Sequence, residues 1–276
     1  MRLARFVAGG DPKYGLVELA SDNGDHPDTI ATLAGDPFAG RVSLTGERHP
    51  LDDVRLVAPV LPRSKVIGIG RNYAAHAKEL GNDLPTEPVT FLKPNTSVIG
   101  PGEPIVHPVQ THDLQHEGEL AVVIGRICRH VPVDKAEDVI FGYTVANDVT
   151  ARDLQHSDAQ WTRAKSFDTF CPLGPWIITH LRITEVGGLD LAVTVNGETR
   201  QHGNTSDMVF GVAELVAYVS SFMTLLPGDV ILTGTPSGVS RMYPGDRVEV
   251  TIAEIGTLAN IVVAEEADDN AGAEGA

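Results

Sequence analysis

Glu117-Gly-Glu-Leu-Ala-Val-Val-Ile-Gly125 sets two acids at the head of an unbroken apolar run that a glycine closes. A short apolar run bounded in this way reads as a buried β-strand. Side chains along a strand alternate with period 2, so Glu117 and Glu119 point to one face. A second apolar run, Val139 to Ala146, reads as a neighbouring strand and delivers Asp148 just past its end. Three acids in an apolar setting call for a cation. Carboxylate oxygens without a cluster of Cys or His suit a hard ion, so Glu117, Glu119 and Asp148 are candidate ligands for Mg²⁺ or Mn²⁺ in preference to Zn²⁺. Taken alone, a Glu-x-Glu is also what the solvent-facing end of a strand looks like; the surrounding motifs decide.

Those motifs are Gly70-Arg-Asn-Tyr-Ala-Ala-His76, the acidic strand itself, Gly142-Tyr-Thr-Val-Ala-Asn-Asp148, then Thr150-Ala-Arg-Asp-Leu-Gln155 with Lys165-Ser-Phe-Asp168, and Leu232-Thr-Gly-Thr-Pro-Ser-Gly-Val239. In that order they resemble the fumarylacetoacetate hydrolase family, over residues 60 to 263 or so. The resemblance implies a mainly β (α+β) fold, a fumarylacetoacetase C-terminal-like β-roll wound around the metal with few helices, and a homodimer. It implies a catalytic dyad of His76 and Glu79 on a lid, and Lys165 reaching the negative charge that develops on the substrate. It also implies substrate contacts from Arg71, Tyr73, Arg152, Gln155 and Thr235.

The residues themselves support parts of that assignment. Asn72 is placed to cap a short helix that Gly81 stops. On that helix His76 and Glu79 are three apart and share a face, so the carboxylate can orient the imidazole. The Pro-broken stretch from Asn82 to Pro88 lets the helix act as a lid. A turn or helix beginning near Val149 presents Arg152 and Gln155 at i,i+3, a pair suited to a carboxylate and a carbonyl. Pro227 to Gly238 reads as turn, strand, turn, with Thr235 and nearby backbone N–H groups able to clasp an anionic end. His112 and His116 have the i,i+4 spacing of a helical zinc pair, but the prolines and alternation of residues 104 to 112 favour extended chain. His116 also departs from the family, where the place before the first Glu is usually aromatic, and it is read as a neighbour that tunes the carboxylates. Gly68-x-Gly70 lacks the third glycine of a dinucleotide fingerprint, since Tyr73 stands there.

Composition bounds the rest. With 276 residues, 42% hydrophobic and 21% charged, the chain reads as one large globular domain plus a small one. Residues 1–58 form a small N-terminal β-containing unit with several turns and no chemistry of its own. The catalytic domain runs over 59–264, and 265–276 is an acidic tail that reads as disordered. A net charge of −16 opposes polyanions and argues against a nucleic-acid partner. No apolar run reaches the ~18 residues of a membrane span, and the opening lacks a secretory core, so a cytoplasmic protein is expected. Cys128 and Cys171 are too few for a disulfide framework and are read as reduced.

The chemistry expected from the resemblance starts with a small dianionic keto acid or enol acid. A 2-oxo acid offers a carboxylate and an adjacent carbonyl to the ion, and loss of a bond at C3 leaves an enolate. The same electron sink serves acylpyruvate hydrolysis, oxaloacetate decarboxylation and isomerisation of an unsaturated 2-hydroxy dioate such as those of aromatic catabolism. C–C cleavage is the favoured reading and isomerisation the alternative. A non-catalytic keto-acid sensor would dispense with the lid dyad, which is present.

Overall fold

The computed structural model describes residues 1–20, 27–81 and 83–266. Two sheets dominate. The larger runs in the order Ser43–Pro50, Thr29–Ala34, Lys13–Glu18, Arg2–Val7, Cys171–Ile178, Ile140–Asn147, Gly118–Ile124, Val230–Leu232, Val66–Gly70, Val89–Lys93. The smaller runs Glu198–Asn204, Asp190–Val195, Arg247–Ile252, Gly256–Ala264, Ile105–His107. The fold is mostly β, as the sequence implies, and the helix Val212–Phe222 packs its Leu215, Val216 and Val219 into the core.

The apolar run after Glu119 is unbroken because Gly118–Ile124 is buried on both faces. Leu120, Val122 and Ile124 face the main core with Leu191, Val193, Val250 and Ile252 of the smaller sheet. Ala121 and Val123 face the other way, onto Leu3, Leu33, Cys171 and Leu173. Burying one such aliphatic side chain contributes about 1.5–3 kcal/mol, so this strand anchors whatever sits at its head. Its antiparallel partner Ile140–Asn147 sets Gly118 opposite Asn147, and Asp148 N donates to Glu117 O at 2.8 Å. The three acids therefore meet at one end of one strand pair.

The N-terminal strands do not stand apart from this scaffold. Arg2 and Leu3 pair with Ile178 and Ile177, so the first strands extend the sheet that bears Glu119 and, at the head of the same strand, Glu117. At the other terminus, Glu265 is tied down: its N–H donates to His107 O, and its carboxylate accepts Val109 N–H at 2.8 Å. Residues 267–276, most of the predicted tail, lie outside the described residues. No described helix is long and apolar enough to cross a membrane.

Candidate active site

Glu117, Glu119 and Asp148 each offer a carboxylate oxygen within 4.8 Å of the others, and all three are buried. Two of the acids are already matched by cations. Lys165 Nζ donates to Glu117 Oε2 at 2.8 Å and to Asp148 Oδ2 at 2.5 Å. Lys93 Nζ donates to Asp148 Oδ1 at 2.5 Å, and Arg152 Nη2 donates to Glu117 Oε1. Glu119 is different. It accepts one hydrogen bond, from Gly234 N–H at 2.6 Å, and has no ion-pair partner among the described residues. A carboxylate that is 1% exposed and lacks a cation is strongly disfavoured unless a charge is supplied. The donor set therefore fits a hard divalent ion, with Glu119 the ligand that most needs it.

The titration directions repeat this asymmetry. Burial opposes charge on Glu117, yet Lys165, Arg152 and His76 hold its carboxyl far below the usual carboxylate range. Burial, reinforced by Asp148 and Glu117, pushes Glu119 well above that range. Burial works against the Lys165 ammonium, but Asp148 and Glu117 outweigh it and raise its pKa, which favours the charged form.

A cavity of about 220 Å³ opens beside Glu117 and Glu119, lined further by Arg71, His76, Arg152, Gln155, Lys165 and Thr235. His76 Nδ1 lies 3.1 Å from Glu79 Oε2 on the short helix Ala74–Glu79, and Glu79 Oε1 accepts Gly238 N–H at 2.9 Å. This helix is thus pinned to the Thr233–Gly238 loop. That loop needs glycine at 234, where φ is +96° and a Cβ would meet Asn72 Cβ at 2.8 Å. Arg152 and Gln155 sit on the helix Arg152–Ser157 and bond to each other, Arg152 Nη1 to Gln155 Oε1 at 2.5 Å. Because Gln155 accepts through its oxygen, its amide NH₂ is left to meet a substrate oxygen. Arg71 adopts φ +60° and lays its guanidinium 5.9 Å from the Trp161 ring centroid.

Several sequence assignments land elsewhere. Tyr73 is buried and lines a separate cavity with Ala74, His202 and Asp207, and its hydroxyl has no hydrogen-bond partner. Asn72 does not cap the helix Ala74–Glu79; Tyr73 holds that position, while the Asn72 amide ties Phe210 and Thr233 to the strand that precedes it. Thr235 lines the cavity, but its hydroxyl proton goes to Gly118 O at 2.8 Å, which leaves it nothing to donate to an anion. His112 is exposed and pairs with Asp153, whereas His116 is buried between Gln201 and Ser240, so they form no zinc pair. Burial lowers the His116 pKa and keeps the ring neutral. Cys171 is buried, its thiol pushed up to about 12, and is inert. Lys93 was not foreseen, because a lysine at the end of Val-Thr-Phe-Leu-Lys looks like an exposed strand terminus. Phe91 and Trp161, in edge contact at 5.5 Å, complete an aromatic wall that no motif announced.

Comparison with known proteins sets this geometry among relatives. Residues 65–263 match the fumarylacetoacetate hydrolase C-terminal family, and residues 1–59 match the Rv2993c-like N-terminal family. The chain is 53% identical to Protein Rv2993c of Mycobacterium tuberculosis, over 85% of this chain and 88% of that one. It is 44% identical to the human mitochondrial oxaloacetate tautomerase FAHD2A, over 78% of this chain and 71% of the relative. Among solved structures, 2-hydroxyhepta-2,4-diene-1,7-dioate isomerase from Mycobacterium marinum superposes with a TM-score of 0.87 at 47% identity, covering 96% of this chain and 99% of that one. Maleylpyruvate hydrolase from Sphingobium sp. SYK-6, solved with manganese(II) and pyruvate, superposes at 0.77 and 35% identity, covering 96% and 100%. The chain therefore belongs to the fumarylacetoacetate hydrolase family, to which a tautomerase, an isomerase and a hydrolase among these relatives give enzymatic names.

Proposed function

We propose that the protein interconverts the keto and enol forms of a small 2-oxo acid by moving a proton at C3. The observation that carries this reading is that His76, backed by Glu79, lines one small cavity together with Glu117, Glu119 and Lys165. Glu117, Glu119 and Asp148 would hold Mg²⁺ or Mn²⁺, and the ion, when bound, supplies Lewis acidity to the 2-oxo group.

The chain's own residues supply the rest. Lys165, held as a cation, places positive charge where the enolate oxygen develops. Two of its three N–H bonds are taken by Glu117 and Asp148, which fixes its direction. His76, oriented by Glu79, takes the proton from C3 as the enolate forms, the enol being completed by protonation of the former 2-oxo oxygen, and in the reverse direction gives a proton back to C3. Arg152 is fixed by Gln115, Gln155 and Glu117, so its remaining N–H groups offer a rigid anchor for a carboxylate. The isomerase and tautomerase relatives stand at higher identity than the hydrolase, which moves the preference away from the C–C cleavage that the motifs alone favour.

Hydrolysis stays as the second reading for one reason: an imidazole backed by a carboxylate takes a proton from water as readily as from carbon. Oxaloacetate, acetylpyruvate and an unsaturated 2-hydroxy dioate, each incubated with protein and Mg²⁺ and followed by NMR, separate the cases. Isomeric product with no carbon lost is expected. Pyruvate with acetate from acetylpyruvate, as the dominant reaction, would replace the proposal by the hydrolytic reading. Pyruvate with CO₂ from oxaloacetate would replace it by the decarboxylating one.

A further inference from the structure

Gln201 touches neither the cavity nor the helix Ala74–Glu79, yet its side chain joins the elements that carry both. It is fully buried in the strand Glu198–Asn204. Its Oε1 accepts Gly118 N–H at 3.1 Å, and a backbone N–H can only donate, so that atom is the oxygen. His116 Nδ1, 2.8 Å from the same oxygen, must then carry a proton, and its Nε2 accepts from Ser240 Oγ at 2.9 Å. The Gln201 NH₂ donates to Thr235 Oγ1 at 2.8 Å and to Pro236 O at 2.7 Å. Thr235 passes its own proton to Gly118 O at 2.8 Å. A closed ring results: Gly118 N–H to Gln201, Gln201 to Thr235, Thr235 to Gly118 C=O.

The two sides of that ring are the parts of the site that must keep a fixed distance. Gly118 lies between Glu117 and Glu119. The loop that Gln201 grips through Thr235 and Pro236 carries Gly234, which donates to Glu119, and Gly238, which donates to Glu79. Gly238 has φ +99°, and a Cβ there would stand 2.1 Å from Arg200 O, so the loop lies directly on the strand that bears Gln201. A buried amide with both lone pairs and both N–H groups engaged fixes its partners more tightly than packing alone.

We propose that Gln201 is a positioning residue: it sets the acid-bearing strand against the Thr233–Gly238 loop and thereby fixes Glu79, and through it His76, relative to the acid cluster. The catalytic part rests on the proton-transfer reading above. Gln201→Met, close in volume and unable to complete the ring, tests it in two ways.

The first readout is independent of activity: amide hydrogen exchange of the chelator-treated and Mg²⁺-loaded proteins. In Gln201→Met the Gly238 amide, which Gln201 does not contact, is expected to lose protection together with Gly118, while the strand Arg247–Ile252 keeps it. Wild-type protection at Gly238 would overturn the proposal even if the protein shows no turnover of any 2-oxo acid. The second readout is kinetic, at saturating Mg²⁺. Gln201→Met should lower kcat roughly 10- to 100-fold, as loss of a group orienting a site residue does, with KM changed far less because the cavity wall is intact. In a Glu79→Gln background the same substitution should cost much less, since its effect runs through Glu79. Additive losses, or a loss confined to KM, would show that Gln201 merely stabilises the fold.

Discussion

Asp148→Ala is expected to lower the stability of the metal-free protein by about 3–5 kcal/mol, a fall in melting temperature on the order of 10 °C, and to abolish turnover. Asp148 accepts from Lys93 and Lys165, whose side chains are 0% and 2% exposed. Removing it leaves the buried Lys93 ammonium with no carboxylate, only Val149 O, and leaves Lys165 to Glu117 alone, so a buried charge goes uncompensated. Glu119→Gln is expected to abolish turnover without this loss, because Glu119 answers no cation and repels its two neighbours. The sign with pH follows from the raised folded pKa of Glu119. The folded, metal-free protein holds this proton more tightly than the unfolded chain, so the Glu119 contribution weakens the fold as pH rises above 4.5 towards the folded value. The stability of Glu119→Gln relative to wild type should therefore grow with pH across that window. Thermal melts of chelator-treated proteins at several pH values check both statements. Equal destabilisation by the two substitutions would contradict the charge assignment.

His76→Ala is expected to depress proton transfer, or water attack on an acylpyruvate, by something like 100- to 10,000-fold, the range of a positioned acid–base group. The imidazole is a proton-handling group on the cavity wall that makes no ion pair with the acid cluster, and, unlike the His156 ring on the same wall, it has a carboxylate, Glu79, on its Nδ1 side. Glu79→Gln should cost comparably, since Glu79 both orients the ring and accepts Gly238 N–H. Decarboxylation of oxaloacetate needs electron withdrawal more than a base and should fall less in either variant. Single-turnover rates with each substrate check this. A His76→Ala enzyme within a few fold of wild type on the preferred substrate would remove the dyad from the mechanism.

The acid strand was legible because it combines two local signals, an apolar run long enough to be buried on both faces and acids confined to its head. Arg247–Ile252 was legible for the opposite reason, a clean alternation with one face outward. What local pattern hides is pairing between distant segments. Nothing in Arg2-Leu-Ala-Arg says that it continues the sheet beside Ile177 and Ile178. Lys93 and Gln201 were invisible for a related reason. A lysine before a proline and a glutamine in Thr-Arg-Gln-His read as solvated positions, and their burial follows from what the sheets bring against them. Tyr73 shows the reverse case: its place in a family motif implied substrate contact, while the chain after Arg71 buries its ring beside a separate cavity with His202 and Asp207.

The central claim is that the acid cluster, holding a hard cation, drives enolisation of a 2-oxo acid. Exchange of the C3 protons of oxaloacetate into D₂O, followed by ¹H NMR, tests it directly. Wild-type protein with Mg²⁺ or Mn²⁺ is predicted to accelerate the exchange above the rate of metal and buffer alone, chelator to abolish the acceleration, and Glu119→Gln to show none at any metal concentration. Full acceleration by chelated protein, or by Glu119→Gln, would contradict the account.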